Sequence, residues 1–206
     1  MPIPLGVLAQ AGSGAGPFVP LSDAYVFLTT TEATSGSEVT FSNLNTTYAS
    51  TYKHLELRLQ TQSLTSIFTR ASIRFNGDTG TNYNWHRIMI QPGEVTGILA
   101  DSATSSTNMR ILSDGLSTTA AHKTGCIVRI LDAFDSNKFK TIQSQYSYMN
   151  LDRQGAGFHS GAWRNTNAIS SITIRYRNVV NFNDADSSDG ASNFDASRLS
   201  LYGIKG

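Results

Sequence analysis

Arg74-Phe-Asn-Gly-Asp-Thr-Gly-Thr-Asn-Tyr-Asn-Trp-His86 carries the ends of two strands and the reversal between them. Asn76-Gly77 and Thr79-Gly80 tolerate positive φ, so the backbone turns there at low steric cost. Upstream, Ala71, Ile73 and Phe75 alternate with Ser72 and Arg74; downstream come Tyr83, Trp85, Ile88 and Ile90. The segment therefore reads as two half-buried strands joined by a polar loop, the unit of an all-β domain. It contains no reaction centre.

Working outward, the same pattern recurs. Strand-like segments fall at Ala24–Thr31, Glu38–Phe41, Tyr52–Gln62, Phe68–Asn76, Asn84–Gln91, Asn108–Leu112, Gly125–Asp132, Lys138–Tyr148, Phe158–Arg164, Ser170–Asn178 and Arg198–Ile204. Two alternations are clean. Leu55, Leu57 and Leu59 oppose His54, Glu56, Arg58 and Gln60; Ile172, Ile174 and Tyr176 oppose Ser171, Thr173, Arg175 and Arg177. One apolar and one wet face is what packed antiparallel sheets require. No helical period is sustained, though a short helical turn fits Leu44–Tyr48 or Trp163–Ala168. No fixed-period repeat points to a propeller or solenoid. The expected fold is all-β, an antiparallel jelly-roll-like β-sandwich spanning residues 23–206. Gly93–Thr107 and Asn181–Asp195 are expected to be long surface loops.

Residues 1–22 read differently. Met1–Ala9 is apolar, and Pro2 and Pro4 forbid a regular helix or central strand. Ala11-Gly-Ser-Gly-Ala-Gly-Pro17 follows as a linker. An apolar tip on a tether is expected to dock, with Ile3, Leu5, Val7 and Leu8 making the contact. The start has no basic region and only a short, Pro-interrupted apolar run, so no signal peptide is expected. No stretch approaches the roughly 18 apolar residues of a membrane span. A soluble product made in a cytoplasm is the expectation.

Composition narrows the function. Charged residues are 15% of the chain, against about 25% in ordinary soluble domains. Short polar side chains replace them and lose little rotamer entropy when a neighbour covers them. A net charge of +1 with scattered Arg and Lys argues against nucleic acid as a partner. The single cysteine, Cys126, excludes an internal disulfide and reads as a buried structural thiol.

The chemistry motifs are absent. There is no Gly-x-Ser-x-Gly elbow, no His-Glu-x-x-His and no phosphate loop. His54, His86, His122 and His159 lie on different segments, and strand histidines of that kind are mostly packing or surface residues. Asp184, Asp186, Asp189 and Gly190 miss the register of a calcium loop and read as a solvated loop. No catalytic residue, no metal site and no cofactor is expected. Trp85 and Trp163 read first as core or interface residues, and in an alternative reading as sugar platforms.

Three ordered pieces carry a resemblance. They are Tyr52-Lys-His-Leu-Glu-Leu-Arg58 with Ile73–His86, then Ile130-Leu-Asp132 with Lys138-Phe-Lys-Thr141, then Gly161–Ile174 closing with Leu199–Ile204. Asp132 and Lys138 also bracket a turn across which they can pair. Together with the Pro4–Ala9 tip and its linker, the pattern resembles the small virion structural proteins of tailed phages of aquatic bacteria, cyanobacteria included. The resemblance implies a non-enzymatic virion component, assembled in the host cytoplasm. The expected role is a capsid decoration or cement protein. Its partners would be the major capsid protein or other virion subunits and its own copies, as a homotrimer, with no membrane and no nucleic acid. The alternative is a tail-fibre or baseplate adhesin gripping host-surface glycans through Tyr83, Trp85, Trp163 or Tyr148. A third reading, a polysaccharide depolymerase, needs two carboxylates about 5–10 Å apart, with Asp101, Asp114 and Glu94 as candidates.

Overall fold

The computed structural model describes residues 24–63, 69–90, 98–112, 122–149, 154–178 and 194–206. The arm residues Ile3, Leu5, Val7 and Leu8, and Glu94, Asp114 and the Asp184–Gly190 loop, lie outside them. Among the described residues there are twelve strands and one short helix. The strands are β1 (Tyr25–Ala33), β2 (Glu38–Phe41), β3 (His54–Ser63), β4 (Thr69–Phe75), β5 (Tyr83–Ile90) and β6 (Ile98–Ser106). They continue as β7 (Met109–Leu112), β8 (Thr124–Leu131), β9 (Lys140–Met149), β10 (Gln154–Trp163), β11 (Ile172–Asn178) and β12 (Phe194–Ile204), with α1 at Leu44–Tyr48. Among the described residues no helix is long and apolar enough to cross a membrane.

The strands form two antiparallel sheets. The larger runs β1-β12-β3-β8-β9-β10-β5-β6, the smaller β2-β11-β4-β7. This is the all-β sandwich expected from the alternations. Leu55, Leu57 and Leu59 meet Cys126, Val128 and Ile130 of the neighbouring strand on the inner face. Ile172, Ile174 and Tyr176 face them from the smaller sheet, beside Ala71, Ile73 and Phe75. Strand β7 is buried on both faces and fastens the layers: Ser144 Oγ donates to the Ile111 carbonyl at 2.6 Å, and the Cys126 thiol points to the same oxygen at 3.5 Å.

The turn between β4 and β5 forms as read. Asn76 and Gly77 have φ of 54° and 66°, and the Asp78 N–H donates to the Phe75 carbonyl at 2.9 Å, the type I′ geometry that needs positive φ at both central residues. The strands it joins lie in different sheets, however, so the loop crosses between layers and is no hairpin. Its polar residues anchor that crossing. Asp78 accepts hydrogen bonds from Gly80 N–H at 2.8 Å, Asn82 at 2.9 Å and the Trp163 indole at 2.7 Å. Asn76 ties down the segment entering β11, donating to the Ala168 carbonyl and accepting from Ser170 and Ser171.

Two expectations change. The Gly93–Thr107 loop contains β6, an edge strand built mostly of small and polar residues that hide the period of two. Of the two candidate helical turns, Leu44–Tyr48 forms, whereas Trp163 ends β10 and Trp163–Ala168 is not helical. Strand β10 is also longer than read, because the inward positions of its first half are glycines. Gly155 and Gly157 sit opposite Tyr148 and Tyr146, and a Cβ on Gly157 would run into the Tyr146 phenol. The glycines make room for aromatic rings that lie across them.

Candidate functional site

The outer face of the larger sheet is where this molecule departs from an ordinary sandwich. On β5, Tyr83, Trp85, Arg87 and Met89 point inward, while Ile88 and Ile90 point to solvent. Cross-strand register sets Ile88 beside Phe158 of β10 and Ala100 of β6, and Ile90 beside Ala156 and Ile98. Ile88, Ile90 and Ile98 are 56%, 58% and 58% exposed, and Phe158 is 44% exposed. This face holds a groove of about 850 Å³ lined by Ile88, Ile90 and Phe158 that continues past Gln145 to Ile127 and Arg58. A contiguous apolar patch of this kind on a solvated sheet marks a contact surface.

Beyond Arg58 the same face turns charged and fully satisfied. Glu56 accepts from the Tyr25 hydroxyl at 2.6 Å, Arg58 Nε at 3.0 Å and Arg129 Nε at 3.2 Å. The rings of Tyr25 and Tyr202 stack at 5.0 Å, with the Arg58 guanidinium 5.3 and 4.9 Å from their centres. Glu56 therefore sits on the wet face as the alternation placed it, yet its neighbours close over it and bury it. Burial alone would raise its pKa; the hydrogen bonds from Tyr25, Arg58 and Arg129 outweigh that and hold the carboxyl below the usual value of 4.5. A depressed folded pKa means stabilisation complete above pH 4.5 and lost as the pH falls through the lower folded value. Glu56→Gln is thus expected to flatten the acid limb: urea midpoints between pH 7 and 3 should fall less for the variant than for the parent chain. Equal falls would show that Glu56 contributes none of the acid sensitivity.

The sugar platforms expected for an adhesin are interior residues. Tyr83, Trp85, Trp163 and Tyr148 are all buried. The Tyr83 hydroxyl accepts the Phe75 N–H at 2.9 Å at the start of the crossing loop, and Trp163 stacks with the Tyr83 ring at 6.4 Å. The Arg110 guanidinium covers the Trp85 ring at 4.5 Å. None presents a ring face to solvent, because all sit in phase with the inward side of β5, β9 or β10.

Of the depolymerase candidates, Asp101 is described and is ion-paired to the buried Arg87 and Arg110 at 3.4 and 3.6 Å. The histidines stay apart. His159 is buried, and desolvation aided by Arg87 and Arg110 lowers its pKa to about 3, so it is neutral. His54 Nδ1 accepts the Asp132 N–H at 2.9 Å, and His86 is exposed. Cys126 is buried and desolvation pushes its thiol pKa up. Lys138 and Asp132 pair across their turn at 3.0 Å. Among the described residues no group of three or more His, Cys, Asp or Glu is placed to hold a metal ion.

The reading of β5 as a half-buried strand missed the groove: Trp85 and Ile88 cannot share a face of one strand, so β5 is apolar on both sides. Comparison with known proteins adds nothing to this geometry: no protein family, no curated protein and no solved structure matches the chain.

Proposed function

We propose that this chain is a virion structural protein, a capsid decoration or cement protein that works through protein–protein contact. One observation carries the reading: the exposed apolar groove lined by Ile88, Ile90 and Phe158, with exposed Ile98 beside it, on the outer face of the larger sheet. The sequence resemblance supplies the setting, a phage particle whose major capsid protein and neighbouring copies of this chain are the partners.

Magnitudes favour an array over a solitary complex. Covering four half-exposed side chains of this size gives on the order of 1 kcal/mol each, a few kcal/mol in all. Association costs about 4–15 kcal/mol in lost translational and rotational freedom. A single copy would therefore hold weakly through this groove alone. Several copies engaged at once convert later contacts into intramolecular ones, which multiplies the grip without any new contact. That is how a cement protein would resist the outward pressure of packaged DNA.

Immunogold electron microscopy of particles from a culture producing the chain tests the proposal. Label is expected at regular positions over the capsid. Label confined to tail tips would transfer the protein to the adhesin class, and unlabelled particles would remove it from the virion.

A further inference from the structure

The groove follows one line of register across the larger sheet. Ile88, Phe158, Gln145, Ile127 and Arg58 are successive cross-strand partners on β5, β10, β9, β8 and β3. The next outward row is Ile90, Ala156, Ser147 and Gly125. Tall side chains of the first row bank a bed of short ones in the second, and both rows line the groove. Its Ile88 end is apolar, and at its other end stands a cation. Arg58 gives its Nε to one oxygen of the buried Glu56, and Arg129 gives its Nε to the other. A single carboxylate thus faces two guanidiniums, and one positive charge is left over. Among the described residues no acceptor meets the two terminal nitrogens of Arg58.

We propose that the groove binds a fatty-acid anion, its tail lying from Ile127 to Ile88 and its carboxylate on the Arg58 guanidinium. Charge complementarity sets the head group. A guanidinium with N–H groups to spare takes a carboxylate through charge-assisted hydrogen bonds, which a neutral alcohol makes more weakly and an ammonium cannot make. Such a ligand goes beyond the contact role of this face and does not rest on it: it occupies the free chain, and a docking partner displaces it.

Length agrees with that class. From Ile88 to Arg58 is four strand spacings, about 19 Å at ~4.8 Å each. Two layers of acyl chains make a bilayer core of about 30 Å, so one such chain spans about 15 Å and leaves its head at Arg58. Hydrogen bonding decides between an acyl chain and a peptide. Strands β5, β10, β9, β8 and β3 each have a hydrogen-bonded neighbour on both sides, so their N–H and C=O groups are engaged in the ladder. A peptide laid across them would bring its own N–H and C=O groups onto Ile, Phe, Ala and Gly, with Gln145 and Ser147 as the uncharged polar partners on those two rows. Polar groups taken out of water without partners are costly. An acyl tail has none to satisfy.

Isothermal titration calorimetry on the full chain at neutral pH tests this with three probes that share a tail and differ in the head: decanoate, decan-1-ol and decyltrimethylammonium. Decanoate is expected to bind once per chain, and the alcohol and the ammonium about tenfold or more weakly, the scale of a hydrogen bond to a charged group. Arg58→Gln should bring decanoate down to the alcohol's affinity and leave the alcohol unchanged. Phe158→Asp, at an exposed side chain, should weaken both. Near-UV circular dichroism checks that each variant keeps its fold, and the comparison of head groups on the parent chain needs no variant. No binding of decanoate, binding of all three probes within twofold, or an Arg58→Gln chain that keeps the preference for decanoate would each overturn the proposal. Decanoate that fails to bind, beside an Ile88→Asp, Phe158→Asp chain that loses the particle, removes the ligand and spares the contact role. Decanoate that binds, beside a doubly substituted chain that keeps the particle, does the reverse.

Discussion

Lys140→Met is expected to lower the thermal midpoint by about 10 °C or more, a loss of roughly 3–5 kcal/mol. Lys140 is fully buried at the first position of β9. Its ammonium donates to the carbonyls of Asp135, Lys138 and Thr166, the last two at 2.7 and 3.0 Å. Three donors meet three acceptors, so the charge is fully engaged by backbone. Those carbonyls belong to two separate loops: the turn between β8 and β9, and the segment leading from β10 into β11. Methionine keeps the length and apolar packing of the stem but removes every donor.

Each buried carbonyl left without its partner costs about 1–3 kcal/mol. The total stays below the simple sum for a physical reason. Desolvation pulls the Lys140 pKa down from its usual value, and removing the ammonium relieves that penalty. Differential scanning calorimetry reads the result directly. A midpoint within about 2 °C of the parent would mean that the two loops stand without this clamp.

Much of this arrangement is written in the residues, at different depths. Leu55, Leu57 and Leu59 needed only alternation to be placed inward, and Asn76-Gly77 only the positive φ of a tight turn. Strand β6 stayed hidden because Ala100, Ser102, Ala103 and Ser105 have too little side chain to show which face is which. Its strand state comes from pairing with β5, a tertiary effect. A turn motif likewise fixes a reversal but not which sheet each arm joins, so the crossing from β4 to β5 was invisible locally. The Trp163 indole finds Asp78 across 85 residues of sequence, and no local pattern encodes such a pair. Lys140 did leave a signal. It is in phase with Ile142, Tyr146 and Tyr148, and a lysine on a buried phase requires a cluster of oxygens to receive it. The groove became visible only when register put Ile88, Phe158 and Ile90 side by side.

Changing the outer face of the larger sheet should have the largest functional effect. Carboxylates at Ile88 and Phe158 place two charges where a partner's apolar atoms would exclude water, and burying an unpaired charge is strongly unfavourable. Losing two anchors of about 1 kcal/mol each, with repulsion added, lowers affinity by at least about tenfold to a hundredfold. The fold should not change, because neither side chain touches the core. Co-sedimentation of the full chain with particles stripped of it measures this most directly. The parent chain is expected to pellet with the particles and the Ile88→Asp, Phe158→Asp variant to stay in the supernatant. Binding of the variant within twofold of the parent would show that this face is not where the protein meets its partners.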